Sequence, residues 1–163
     1  MKKGSIYVGL VLATLAGYFV YQTWFNPSRV VKRRLGEIAG ALSVPESEPD
    51  LGRLTRLARL RSYLADDVQL TAGSYAFNSR DAVVGALAAA RAPKGGADIQ
   101  FVDVQVAVDS DSAAHAGLML EVNTRDQQTG EWLADQFETI VNLEKRGGEW
   151  VVVRGAIKDR RPR

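Results

Sequence analysis

An α+β fold is predicted by two observations along the chain. Apolar residues recur at helical spacing as far as Arg91, and from Ile99 onward they alternate with polar ones in the period of two that marks a strand. A third observation, an uncharged apolar run at the start, places one membrane-spanning helix ahead of that domain.

The run from Gly4 to Ser28 contains no charged residue. At about 1.5 Å per residue it is long enough to cross a hydrocarbon core of roughly 30 Å. Its far end holds Tyr18, Phe19, Tyr21, Trp24 and Phe25, the composition of an interfacial aromatic belt, before Asn26-Pro27-Ser28 breaks the helix. These features assign residues 1–28 to a membrane anchor that spans Gly4 to about Phe25. The alternative is a signal peptide, with Lys2-Lys3 as the charged region and Thr14-Leu15-Ala16 as the cleavage site. Cleavage there would leave the apolar run Tyr18 to Phe25 at a mature N-terminus. Lys2 and Lys3 precede the span, whereas Arg29, Lys32, Arg33 and Arg34 follow it. That count favours a cytoplasmic domain, whereas the short Met-Lys-Lys start before a single early span favours export. The expectation adopted is a bacterial inner-membrane protein with a periplasmic domain.

The domain is expected over residues 29–158. Val31, Leu35, Ile38 and Leu42 form the stripe of a first helix. Ser43 to Asp50, with two prolines and three acids, reads as a loop, and Asp50 is placed to cap a second helix bearing Leu51, Leu54, Leu57 and Leu64. Asp66-Asp67 is expected to end that helix before a short strand, Val68 to Thr71. Asn78 and Asp81 suggest the capped start of a third helix, Ser79 to Arg91, with Pro93-Lys-Gly-Gly96 as its stop. Four strands follow, Ile99 to Val108, Ala114 to Val122, Trp132 to Glu144 and Trp150 to Ile157, joined by turn-forming residues as an antiparallel meander. In the first, Val102, Val104, Val106 and Val108 are expected on one face. Residues 159–163 make a basic tail.

Composition narrows the chemistry. There is no cysteine, so disulfides, thiolate metal sites and cysteine nucleophiles are excluded, and the single histidine, His115, rules out a multi-histidine metal site. No metal or cofactor is expected. Twenty-one basic against 19 acidic residues leave a net charge of +2, too small an excess to indicate a nucleic-acid partner.

The order of these elements, with Ala65-Asp-Asp-Val68, Asn78-Ser-Arg-Asp-Ala-Val83 and the closing Leu143-Glu-Lys-Arg-Gly-Gly-Glu-Trp-Val-Val152, resembles the nuclear transport factor two-like superfamily and its SnoaL-like members across roughly Val30 to Lys158. The resemblance implies a cone: three N-terminal helices packed on a strongly curved antiparallel sheet, with a pocket at the wide end. It also implies that the open sheet face is available for homodimerisation. The superfamily mixes isomerases, dehydratases and binding modules, so the fold does not choose a function.

Candidate catalytic residues are Asp135, on the strand face of Leu133, Phe137 and Val141, and His115, the lone imidazole. The favoured alternative for both is a solvated position, at the sheet rim or on the outer face. Tyr63, Tyr75, Phe77 and Phe101 are candidates to line a pocket and stack on a flat apolar ligand. Arg29, Lys32, Arg33, Arg34, Arg53 and Arg56 form a basic flank suited to anionic headgroups beside the anchor. Lacking a defined catalytic set, the chain reads as a membrane-tethered, non-catalytic interaction or assembly module, an accessory subunit of a membrane protein complex. The alternatives are a small cone enzyme using a pocket carboxylate on a hydrophobic ligand, and a lipid or small-molecule binding domain.

Overall fold

The computed structural model describes residues 11–18, 26–90, 93–126 and 128–158. Apart from the helical residues 11–18 and residues 26–28, which open the first helix of the domain, the expected anchor lies outside the described residues, as does the basic tail 159–163. Among the described residues no helix is long and apolar enough to cross a membrane.

Helix α1, Pro27–Leu42, starts where the sequence suggested a break. Asn26 caps it by accepting from the Ser28 amide at 3.0 Å, and proline is well suited to a first turn that needs no amide donor. Val31, Leu35 and Ile38 of the expected stripe are buried, together with Ala39 and Ala41. Helix α2, Asp50–Ser62, buries only Leu57 and Leu60; Leu51 and Leu54 are exposed. Asp50 sits in its first turn, where its charge favours the helix dipole, and Pro49 takes the cap position.

The helix ends before Asp66-Asp67, which lie inside strand β1, Leu64–Ala72. This corrects the expectation that the acids stop the helix. Both face outward, where Asp66 meets Arg80 and Asp67 meets Arg146. A turn through Gly73 leads to the short β2, Tyr75–Phe77, which was absent from the expected elements. Helix α3, Arg80–Ala89, is capped by the Ser79 hydroxyl, which accepts from the Ala82 amide at 3.2 Å, with Asp81 in the first turn.

Strands β3 (Ala97–Ser110), β4 (Ala113–Arg125), β5 (Trp132–Arg146) and β6 (Glu149–Lys158) form the meander. The sheet order is β2-β1-β6-β5-β4-β3, and β1 runs parallel to β6, so the sheet is mixed and not wholly antiparallel. Strand β2 and helix α3, between β1 and the meander, carry the chain to the opposite sheet edge and make the parallel pairing possible. In β3 the register shifts between Val102 and Gln105, where Asp103 adopts φ 52°. This bulge changes the phase of the strand: Phe101 packs on the core before it and Val104, Val106 and Val108 after it, so the expected stripe does not include Val102.

The helices lie on the concave side. Val31, Leu35, Leu60, Val68 and Leu143 are almost completely buried between the two layers, with Trp150 beside them. Ser43 ties the end of α1 to β3, its hydroxyl accepting from the Ile99 amide at 2.9 Å. Beside it, Val44 and Ala97 exchange backbone hydrogen bonds of 2.8 Å. Gly96 permits this approach, since a Cβ there would stand 2.6 Å from the Val44 carbonyl oxygen.

Candidate functional site

Between the helices and the concave face is a cavity of about 310 Å³. Leu35, Ile38 and Leu42 of α1 and Val83 and Leu87 of α3 form its roof, with Leu60 behind them. Its floor is made by Phe101, Leu120, Thr139, Val141, Val152 and Ile157 from four adjacent strands. The strand pairing explains the arrangement: Phe101, Leu120 and Phe137 form one cross-strand row, and Leu118, Thr139 and Ile157 the next. Gly155 leaves room for Leu70 of β1, because a Cβ at Gly155 would lie 2.7 Å from Leu70 Cδ2. Phe77, at the end of β2, closes one side.

The wide end opens past the β1–β2 turn. Ala72, Gly73, Ser74 and Tyr75 face Leu120, Phe137 and Ile157 across a second recess of about 350 Å³, which shares Ala72, Leu120 and Ile157 with the cavity. Among the described lining residues of the cavity none is an acid or a base. Thr139 is the one buried polar residue among those described, and its hydroxyl donates to the Phe137 carbonyl at 3.3 Å.

The residues singled out from the sequence are divided by this geometry. Phe77 and Phe101 line the cavity, Tyr75 lies exposed at the outer recess, and Tyr63 is buried outside it, with the Arg34 guanidinium carbon 5.0 Å from its ring centroid. Asp135 keeps the strand parity of Phe137 and Val141 but is exposed; it pairs across the strand with Val122, beyond the row that forms the mouth. His115 does not line the cavity; it is half exposed, with Nδ1 2.9 Å from Asp109 Oδ2. Among the described residues neither group enters the cavity: Asp135 lies along β5 beyond the rows that line it, and His115 has the strand parity opposite to buried Ala114, Ala116 and Leu118.

The basic residues divide as well. Arg29, Lys32 and Arg33 are exposed on the first half of α1. Arg34 bonds Glu37 and Glu149, and Arg53 donates to the Ala88 and Ala90 carbonyls that end α3. Arg56 grips both oxygens of Glu48, at 2.7 and 3.1 Å, and donates to the Ala41 carbonyl at 3.2 Å. That guanidinium holds the Glu48 carboxyl below its ordinary pKa. Half of the expected lipid-facing flank is thus engaged in joining helices and loops. Alternation of charge and leucine in α2 gave no sign of this, since the partners lie in other elements.

The family model for the SnoaL-like domain matches residues 54–155. No match is found among curated proteins. Among solved structures, a candidate scytalone dehydratase from Novosphingobium aromaticivorans is similar, at 14% identity and TM-score 0.67, over 84% of this chain and 86% of that one. An NTF2-like protein with a cystatin-like fold from the same organism gives 14% identity and TM-score 0.64, over 85% and 86%. The association domain of CaMKII from C. elegans gives 13% identity and TM-score 0.60, over 84% and 95%. At these identities the structures establish the fold alone. The family match covers more than half of the chain and includes most of the second helix, the meander as far as Gly155 and most of the cavity wall: the chain belongs to the SnoaL-like domain family.

Proposed function

We propose that the domain is a binding module that holds a small apolar ligand in its cone, and that residues 4–25 tether it to a membrane. The observation that carries the reading is the cavity wall, which apart from Thr71 and Thr139 is apolar and among the described residues includes no acid or base. Proton-transfer chemistry needs such a group at hydrogen-bond distance, so binding is favoured over the carboxylate-dependent enzyme. A volume near 310 Å³ falls at the small end of the range for ligand sites. Support for the tether comes from the uncharged run Gly4 to Ser28 and the exposed Arg29, Lys32 and Arg33 that follow it.

Binding is tested by fluorescence titration of aminoanthracene, a neutral apolar dye, into the full-length chain held in lipid nanodiscs, with protein-free nanodiscs subtracted. Saturable binding is expected, and it is expected to be lost in Val83→Phe and Val141→Phe, which fill the cavity from opposite walls. Equal binding by folded variants would contradict the reading. For the tether, the full chain is expected in the carbonate-washed membrane fraction and a chain beginning at Pro27 outside it.

Self-association through the convex sheet face is a second reading. Ile140 is 38% exposed there, next to Gly117 and Ala156 across the strands, within a surround that includes Gln136, Glu138, Asn142 and Arg154. An apolar centre with a polar rim is the usual anatomy of an interface. The similar C. elegans CaMKII structure is an association domain, which supports the same reading. Ile140→Glu is expected to reduce the mass measured by light scattering to that of one chain.

A further inference from the structure

We propose that the cavity selects uncharged, largely hydrocarbon molecules carrying one hydrogen-bond donor, and that Thr139 Oγ1 is the acceptor that receives it. This rests on the ligand-binding reading above and assigns its chemical class. A threonine hydroxyl has one proton to give and two lone pairs. The proton of Thr139 is directed to the Phe137 carbonyl at 3.3 Å, so what the hydroxyl offers the cavity is acceptor capacity. Its strand neighbours across the floor are Leu118 and Ile157, both apolar. Thr139 is 6% exposed, so water does not compete freely for that oxygen, and a ligand donor placed on it satisfies a group that burial otherwise leaves underused. Thr71, the other hydroxyl residue at the wall, is exposed, and its hydroxyl lies 3.5 Å from the Gly155 carbonyl.

The same wall discriminates against anions. A carboxylate drawn into an apolar site without a cation loses its hydration for nothing in return. The arginines of α2 nearest the roof are directed elsewhere: Arg53 to the Ala88 and Ala90 carbonyls, Arg56 to Glu48 and Arg61 to Asp81. None of them lines the cavity. Among the described residues a fatty acid's head group therefore has no counter-ion inside, whereas a phenol or a compact alcohol finds one acceptor and hydrocarbon.

Three probes of nearly one shape test the proposal: para-tert-butylphenol, para-tert-butyltoluene and para-tert-butylbenzoate, each competing with aminoanthracene for the full-length chain in nanodiscs at pH 7. The phenol-to-toluene affinity ratio is expected to fall about two- to tenfold on Thr139→Val, the equivalent of one lost hydrogen bond. Thr139→Ser, which keeps the oxygen, is expected to restore the ratio, and the benzoate is expected not to compete with the wild-type chain. A ratio unchanged by Thr139→Val, or benzoate competing as well as the phenol, overturns the assignment while leaving apolar binding intact. Failure of all three probes and of the dye to bind the wild-type chain overturns the ligand-binding reading itself.

Discussion

The two ends of the cone are built from the same sheet and differ in what covers it. At the narrow end, α1 lies directly over the strands, and Val31, Val68, Leu143 and Trp150 are buried to within a few per cent. Polar partners ring that end: Arg34 with Glu149, Arg146 with Asp67 and Glu144, and His115 with Asp109. At the wide end the cover is the later turns of α1, helix α3 and the turn before β2, and Leu42, Leu87, Phe101 and Leu120 remain half-buried around the cavity. One end is closed by packing and ion pairs, while the other is kept apolar and open. The paired charges thus serve the architecture of the packed end, and the region suited to a ligand is the one they do not reach.

Truncation gives the largest expected contrast between the ends. Leu143→Ala, at the packed end, is expected to cost about 2–5 kcal/mol in urea unfolding, because the surrounding core cannot collapse into the space. Leu87→Ala, on the cavity wall, is expected to cost about 1 kcal/mol, since its side chain is already only partly enclosed. Equal costs would remove the distinction between a closed and an open end.

A smaller effect is expected where charge supports the frame. Arg56→Leu leaves Glu48, whose side chain is 8% exposed, without its two-point partner, and is expected to cost about 1–3 kcal/mol by the same measurement. The pH dependence has a definite sign. The folded-state pKa of Glu48 lies below its ordinary 4.5, so the carboxylate contributes stability above that value and loses it as pH falls through the lowered one. Glu48→Gln is expected to flatten the decline in stability below about pH 4.5, read by thermal unfolding across an acid series. An unchanged acid limb would mean that the pair is inert.

The smallest effect on stability is expected from Val83→Phe, which adds a ring to space that already exists. Its unfolding midpoint is expected to stay near or slightly above that of the wild type while dye binding disappears.

Much of this frame was legible in the sequence. The stripe Val31, Leu35 and Ile38 identified α1, and alternation through Leu118 and Leu120 identified β4 and its core face, whereas Val122 of the same expected run is not part of the core. The helices-then-meander order gave the fold class, and Phe77 and Phe101 were named as pocket candidates from their aromatic character. What local pattern did not reveal depends on partners remote in the chain. Asp66-Asp67 looks like a helix stop until Arg80 and Arg146 allow both acids to lie in a strand. Leu51 and Leu54 have core spacing, but the buried face of α2 is limited to Leu57 and Leu60. The bulge at Asp103 has no proline or glycine to announce it, and the parallel β1–β6 pairing is a property of the whole topology. Asp135 has the right parity for a pocket group and the wrong position along the strand, a distinction set by where the helices end. Thr139 carried no signal at all: one threonine among apolar neighbours matters only once the cavity beside it is known.

Methyl-resolved nuclear magnetic resonance of the full-length chain in nanodiscs, titrated with para-tert-butylphenol, tests the central claim most directly. Shifts are expected for Leu42, Leu87, Leu120 and Ile157 at the wide end, with the methyls of Leu143 and Val31 at the packed end unmoved. Shifts confined to the exposed Leu51 and Leu54, or none beyond those of the nanodisc lipid, would contradict the account of the cone as a ligand site.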